Sequence, residues 1–182
     1  IHDVVAWLRG DLSNFDDEPV SIFIGPNKAS SPQFGFLPAA VDAMQHSQTL
    51  AINSAWMWCP KLAMLVDAIQ AEWKREVDTN IFLAPARSDP LGWHQDPEHS
   101  LFMQFAGSKH WTLCPLESPS PTRTIEKCVN LTTHRGQVLG ITFGTWHHAW
   151  TDTAASIHAT VMINKRISAK RVIQESRVAE HR

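Results

Sequence analysis

The residues with the clearest chemical potential are His94 and Asp96, two positions apart in the segment 92–96, which reads Gly-Trp-His-Gln-Asp. In an extended strand, side chains two residues apart project on the same side. His94 and Asp96 would therefore offer an imidazole nitrogen and a carboxylate oxygen together. This spacing predicts two of the ligands of a metal ion.

A third ligand is expected from the segment 143–148, Phe-Gly-Thr-Trp-His-His, which follows a strongly apolar run. A histidine at this turn can point back into a barrel. Two histidines and one carboxylate leave three positions of an octahedral ion open, as in non-haem Fe(II) oxygenases. A carboxylate suits Fe(II), whereas an all-histidine set leans towards zinc or copper. A His-x-Asp motif alone is more often a surface pair, so the prediction depends on both segments occurring in order.

The elements that must position these residues are mostly short strands separated by turns. The Ala-Gly-Ser sequence at 106–108 predicts the tight turn of a hairpin. Helices do not alternate with the strands, which favours a β-sandwich or barrel. The predicted strands are Val20–Ile24, 81–84, 100–105, 110–114, 137–143 and 156–164.

One helix is predicted at 60–76, and Pro60 suits its first turn. Shorter helical segments are expected at 4–8 and in the charged tail 168–182, and loops at 27–35 and 117–126. The apolar stripe of the main helix, at helical spacing, consists of Leu62, Leu65, Val66, Ile69 and Trp73.

Composition excludes several classes of protein. The 182 residues suffice for one domain with a core, and a net charge of −2 without a Lys/Arg run argues against nucleic-acid binding. No apolar stretch is long enough for a membrane span, and no signal peptide is expected. Cys59, Cys114 and Cys128 are odd in number and widely scattered, without the spacing of a zinc site or a disulfide framework. A reducing compartment, the cytoplasm, is the natural interpretation.

Several motifs, in order, resemble the JmjC-type cupin oxygenases, and among them the ribosomal oxygenases that hydroxylate His or Arg side chains of ribosomal proteins. The resemblance covers roughly residues 60–164. One departure is Phe82, where that family has a tyrosine whose hydroxyl helps to hold the co-substrate. The matching segments are Asn-Ile-Phe at 80–82, His-Gln-Asp at 94–96, the strand and turn at 102–111, the later strand and turn at 135–147, and Ser-Ile-His-Ala-Thr at 156–160.

The resemblance implies a mainly β fold, a double-stranded β-helix (cupin or jelly-roll) barrel with flanking helices. Residues 1–167 would form the catalytic domain, with a supporting helix at 60–79 and the barrel core at 80–164. The tail 168–182 would begin a dimerisation region, so a homodimer is possible. The resemblance also selects His147, rather than His148, as the third ligand beside His94 and Asp96. Fe(II), 2-oxoglutarate and O2 are the implied cofactor and co-substrates.

A pocket for the co-substrate is expected around Lys109, which falls on the family's co-substrate lysine. From its position alone it would be a solvated lysine, but a partly buried ammonium would hold a carboxylate by a charge-assisted hydrogen bond. Thr160 and Asn164 alternate along one strand and are predicted ligand contacts, with Ser100 as a third. A polar outward face would explain the same alternation.

The expected activity is hydroxylation of a C–H bond in a protein or peptide side chain, of the His or Arg type by resemblance. One alternative is a hydroxylase of a free amino acid or a natural-product intermediate. A second is a metal-dependent cupin that does not use 2-oxoglutarate and therefore has no need of Lys109. A third, a metal-free binding cupin, is disfavoured because the three predicted ligands are all present.

Overall fold

The computed structural model describes residues 20–24, 27–30, 48–116 and 125–164. Within them lie one α-helix, α1 (Pro60–Trp73), and two short 3-10 helices, Ala55–Met57 and Ile125–Lys127. The predicted helical segments 4–8 and 168–182 lie outside the described residues. The strands are β1 (Val20–Ile24), β2 (Asn27–Ser30), β3 (Thr49–Ile52), β4 (Val77–Ala84), β5 (His99–Ala106), β6 (Ser108–Leu113), β7 (Val129–His134), β8 (Val138–Ile141), β9 (His147–Trp150) and β10 (Ser156–Ile163).

The strands form two antiparallel sheets, which confirms the mainly β expectation. The larger sheet has seven strands in the order β2-β1-β3-β4-β10-β5-β8, and the smaller has three in the order β7-β6-β9. Strand β10 lies between β4 and β5, with Thr160 opposite Asn80 on one side and Phe102 on the other. None of the helices in the described residues has the length and hydropathy needed to cross a membrane.

Side chains along β4 and β10 point alternately to the two faces of the large sheet. One face therefore packs on α1, and the other faces the small sheet. Leu62 of α1 packs with Ile81 and Ala159, and Val66 packs with Val161. The helix ends at Trp73 because Lys74 takes a left-handed conformation, with φ of 53°. Trp73, the last residue of the predicted apolar stripe, is 52% exposed and does not join the core.

The two sheets meet through aromatic side chains. Phe102 of β5 lies on Trp111 of β6, with ring centroids 4.5 Å apart, and Ile141 of β8 joins them in a buried cluster. These residues close one part of the space between the sheets. The remaining space is the cavity described below.

The predicted hairpin at 106–108 is wrong. Strand β5 pairs with β8 and β10, whereas β6 pairs with β7 and β9, so the chain passes from one sheet to the other at Gly107. Gly107 has φ of 64°, and a Cβ here would collide with the carbonyl oxygen of Ala155. The tight turn was predicted correctly, but local sequence does not reveal which sheet each strand joins.

Two further predictions need correction. Residues 27–30 form strand β2 rather than part of a loop, because they pair with β1. Cys114 and Cys128 form a disulfide. The pairing of Leu113 with Val129 brings the ends of β6 and β7 together and places the two cysteines beside each other. Their separation of 14 residues looked scattered only because strand β7 was not predicted.

Candidate metal centre

His94, Asp96 and His147 form one cluster at the edge of the cavity between the sheets. Each offers a ligand atom, and these atoms all lie within 4.8 Å of one another. The His94 Nε2 atom is 3.8 Å from Asp96 Oδ1, and the His147 Nε2 atom is 3.7 Å from Asp96 Oδ2. The structure therefore brings together the His94 and Asp96 side chains, grouped by their spacing, and the His147 side chain, which the resemblance selected.

Backbone pairing explains how His94 and His147, which are far apart in the sequence, meet here. His94 does not lie within a named strand, contrary to the prediction; it forms an isolated antiparallel bridge with His147 of β9. The two residues exchange amide-to-carbonyl hydrogen bonds of 3.0 and 2.9 Å, and the Gly144 amide donates to the Asp96 carbonyl at 2.9 Å. The side chains of His94 and Asp96 still share a side because the local backbone is extended enough to pair.

Both histidines present Nε2 to the centre of the cluster. The Nδ1 atom of His94 lies 3.0 Å from the Gly92 carbonyl, and that of His147 lies 2.9 Å from the Thr145 carbonyl. Each Nδ1–H donates to its carbonyl, which fixes the ring and leaves the Nε2 lone pair free. Burial, and then the neighbouring His94, lower the pKa of His147. A neutral imidazole is the form that binds metal.

His148 points away from this cluster because successive residues of a strand face opposite sides. Its Nε2 atom is 2.9 Å from Asp89 Oδ2. Its ring stacks on Trp150 and tilts against Trp93, with centroids 5.0 and 5.3 Å away. Of the two adjacent histidines, only His147 has a ligand atom in the cluster.

A cavity of about 130 Å³ extends from the cluster into the space between the sheets. Lys109, on the inward face of β6, lines it and is only 2% exposed. Burial lowers the pKa of Lys109 to about 8, and the Asp89 carboxylate acts in the opposite direction. Within the described part of the chain, no carboxylate lies within ion-pair distance of its ammonium. A buried cation in this position needs an anionic partner.

Two further polar side chains of the cavity have no hydrogen-bond partner in the part of the chain that the structure describes. These are Thr160 Oγ1 and His158 Nδ1, both buried, and the same holds for His147 Nε2 at the cluster. Burial, and then Lys109, hold the pKa of His158 well below its usual value. An unpaired buried polar group costs about 1–3 kcal/mol. A polar ligand in the cavity would remove that cost.

His158 was not among the predicted site residues, although its alternation with Thr160 on β10 was a usable signal. Its ring stacks on Phe82, with centroids 5.1 Å apart and an angle of 6° between the planes. Phe82 also lines the cavity. The position where the resembling family has a tyrosine is therefore an apolar wall that supports an imidazole.

The structure separates the other predicted contacts. Thr160 lines the cavity, whereas Asn164 and Ser100 line a different, more open cavity beside Trp73 and Arg75. The Ser100 hydroxyl donates to Asp96 Oδ2 at 3.0 Å. Asn164 follows the last residue of β10, beyond the part of the strand that faces the small sheet. Neither Asn164 nor Ser100 is brought to Lys109.

Two antiparallel sheets enclosing a cavity, with two histidines and a carboxylate at its edge, define a cupin-type fold with a candidate metal centre. The sequence profile of the JmjC domain matches residues 54–170, more than half of the chain. The chain belongs to the JmjC domain family. No curated protein has a sequence that matches it significantly.

Solved structures of an Escherichia coli ribosomal oxygenase, YcfD, have the same fold. One has a TM-score of 0.60 at 17% identity, covering 89% of this chain and 48% of that one. YcfD in complex with cobalt and 2-oxoglutarate has a TM-score of 0.59 at 17% identity, covering 93% and 50%. Its complex with cobalt and succinic acid has a TM-score of 0.61 at 16% identity, covering 89% and 48%. The chain thus spans about half the length of these proteins.

Proposed function

We propose that this chain carries the catalytic site of an Fe(II)- and 2-oxoglutarate-dependent oxygenase that hydroxylates a C–H bond in a protein or peptide side chain. One observation carries the proposal. A single cavity holds a cluster of two histidines and one carboxylate at its edge and, further in, a buried lysine that has no anionic partner among the described residues. A keto acid that chelates a metal through one end and has a carboxylate at the other matches both features.

The donor set fits Fe(II). His94 and His147 would each bind through Nε2, and Asp96 would supply the hard anionic oxygen. The unpartnered, buried Nε2 of His147 is accounted for if it binds a metal ion. Three ligands on one side leave open positions, which is the requirement for a centre that binds co-substrate and O2.

The wall of the cavity fits 2-oxoglutarate. Lys109 would hold the far carboxylate by a charge-assisted hydrogen bond, and the Thr160 hydroxyl would donate a second. Phe82, Phe102 and Trp111 would exclude water from the space between carboxylate and metal. When bound, Fe(II) with 2-oxoglutarate and O2 supplies the oxidation of an unreactive C–H bond, and the protein contributes orientation and shielding.

The exposure of the cluster supports a large substrate. The side chains of His94 and Asp96 are 28% and 25% exposed, whereas His147 is 1% exposed, so the cluster is approached from the His94 and Asp96 side. Glu98 lies on that side, near enough to Asp96 for the two carboxyl groups to interact. A carboxyl group beside the cluster, together with the resemblance to oxygenases that act on His or Arg, supports a His or Arg side chain as the proposed target.

Similarity to a ribosomal oxygenase also supports a protein substrate and a cytoplasmic location. The Cys114–Cys128 disulfide is unusual for that compartment. A homodimer, with 168–182 contributing to it, stays a prediction.

The test is succinate release from 2-oxoglutarate with Fe(II), measured with and without basic peptides, followed by mass spectrometry of the peptides. We expect succinate from the wild type, none from His94→Ala, and peptides that gain one oxygen atom only when 2-oxoglutarate is present. If free amino acids or small metabolites gained the oxygen and peptides did not, the proposed substrate would be wrong. If no succinate formed under any condition, a cupin without 2-oxoglutarate would replace this proposal.

A further inference from the structure

The Asp96 carboxylate has both oxygens near the imidazole nitrogens of the cluster. Oδ1 lies 3.8 Å from the Nε2 atom of His94, and Oδ2 lies 3.7 Å from that of His147. A carboxylate placed in this way can bind a metal through one oxygen or chelate it through both. Chelation would use one of the positions that the co-substrate and O2 require.

One contact distinguishes the two oxygens. The Ser100 hydroxyl donates a hydrogen bond of 3.0 Å to Oδ2 and makes no such contact with Oδ1. We propose that Ser100 is a positioning residue of the metal centre: it holds Oδ2 and leaves Oδ1 to the metal, so that Asp96 binds through one oxygen. The inference rests on the proposed function, because it assigns Asp96 as a metal ligand.

The position of Ser100 makes its hydroxyl a rigid donor. The residue is 1% exposed and lies in β5, where its backbone is opposite Ile141 of β8 and Met162 of β10. Asp96, by contrast, lies in the irregular segment before the strand. The hydrogen bond therefore restrains rotation of the Asp96 carboxylate, because it links that group to a strand of the large sheet.

Asp96 differs from the two histidines in the kind of group that orients it. His94 and His147 are held by backbone carbonyls, of Gly92 and Thr145, which no substitution removes. Asp96 is held by a side chain, so its orientation can be tested by mutation. Loss of such a partner typically lowers metal affinity 10–100-fold.

The experiment compares Ser100→Thr with Ser100→Val. The two side chains have nearly the same shape, and only threonine keeps the hydroxyl, so any steric cost is shared. Cobalt(II) affinity is measured by titration against a competing chelator, and the visible spectrum of the bound cobalt reports its coordination. Thermal unfolding of the metal-free proteins shows whether both variants fold. Ser100→Ala provides a third comparison without added volume.

We expect Ser100→Val and Ser100→Ala to bind cobalt about 10–100-fold more weakly than the wild type and to change its spectrum, with Ser100→Thr staying close to wild type. The matched control is Ser156→Ala. Ser156 is also 1% exposed and accepts a hydrogen bond of 2.8 Å from Gln104, away from the cluster. Its loss should leave cobalt binding unchanged.

Equal cobalt affinity in the threonine and valine variants would overturn the role of Ser100 while leaving the metal site intact. The same loss in Ser156→Ala would also overturn it, because the effect would then be one of general stability. A wild-type protein that binds no cobalt would contradict the proposed function itself.

Discussion

The three side chains of the cluster differ in how firmly the structure fixes them. His147 is buried, lies in strand β9 and is held by a backbone carbonyl, whereas Asp96 lies in an irregular segment and is a quarter exposed. Lys109, further in, is a cation without a described counter-ion. At the scale of single residues, the site combines three metal-binding side chains with a buried cation.

The cluster predicts which histidine matters. We expect His94→Ala, Asp96→Ala and His147→Ala each to abolish 2-oxoglutarate turnover, because each removes a metal ligand. His148→Ala should keep much of the activity, since its Nε2 atom contacts Asp89 rather than the cluster. Succinate formation measures the 2-oxoglutarate turnover of all four variants. An inactive His148→Ala beside an active His147→Ala would show that the distal ligand has been misassigned.

The pKa of Lys109 predicts how 2-oxoglutarate affinity varies with pH. Burial lowers that pKa to about 8 in the cavity without ligand, and the bound carboxylate requires the charged form. Below pH 8 the ammonium is already protonated, so affinity should be nearly constant. Above pH 8, binding must include proton uptake, and affinity should fall by up to about tenfold per pH unit. Calorimetric titrations between pH 7 and 9.5 measure the affinity for 2-oxoglutarate at each pH.

Lys109→Arg provides the control, because arginine stays charged over that range. Its affinity for 2-oxoglutarate, even if lower, should not depend on pH. A wild-type affinity that is flat up to pH 9.5, or the same pH dependence in Lys109→Arg, would exclude Lys109 as the titrating group.

At the scale of elements, the site depends on two connections between segments of the chain. Gly107 passes the chain from β5 to β6, and thereby places Lys109 on the inward face of the small sheet two residues later. The His94–His147 bridge joins the irregular segment to β9. These two connections bring the metal-binding and co-substrate ends of one cavity together.

The backbone conformation at Gly107 predicts that even a small side chain there lowers the stability of the fold substantially. Gly107→Ala combines a left-handed φ of 64° with a collision against the Ala155 carbonyl. We expect it to destabilise the fold by clearly more than 1 kcal/mol, measured by urea unfolding. Gly136→Ala is the control, since Gly136 has φ of 87° but nothing within 4 Å of the added Cβ. Equal losses in both variants would show that the collision contributes nothing.

How much the sequence predicts depends on the element. Strands β5 and β10 were predicted because β5 is rich in apolar residues and β10 in apolar and β-branched ones. Strands β7 and β9 were missed because they read Val-Asn-Leu-Thr-Thr-His and His-His-Ala-Trp, too short or too polar for a pattern. Because β7 was not predicted, the disulfide that its pairing with β6 allows was not predicted either. Pairing partners are a long-range property, which is why the hairpin at Gly107 was wrong.

Site residues follow the same rule. His94 and Asp96 are close in sequence, so local spacing was enough to group them, and resemblance selected His147. Thr160 lies on the inward side of β10, one of the two arrangements that alternation left open. Alternation could not show that Asn164 lies beyond the end of the cavity. It also could not show that Ser100 contacts Asp96 instead of the pocket around Lys109.

At the scale of the whole molecule, both sheets contribute to one cavity. The large sheet, sealed on its far face by α1, and the small sheet together place a metal cluster and a buried lysine around one space. Both sheets line this space, because Lys109 and His147 belong to the small sheet while Thr160 and His158 belong to the large one. Binding of metal and co-substrate should therefore be coupled.

The most direct measurement is calorimetric titration of 2-oxoglutarate into the cobalt-loaded and the metal-free protein, without O2. We expect clear binding to the cobalt form, much weaker binding to the metal-free form, and a loss of affinity of roughly a hundredfold or more in cobalt-loaded Lys109→Ala. Equal binding with and without cobalt, or an unchanged affinity in Lys109→Ala, would contradict the claim that one cavity holds both.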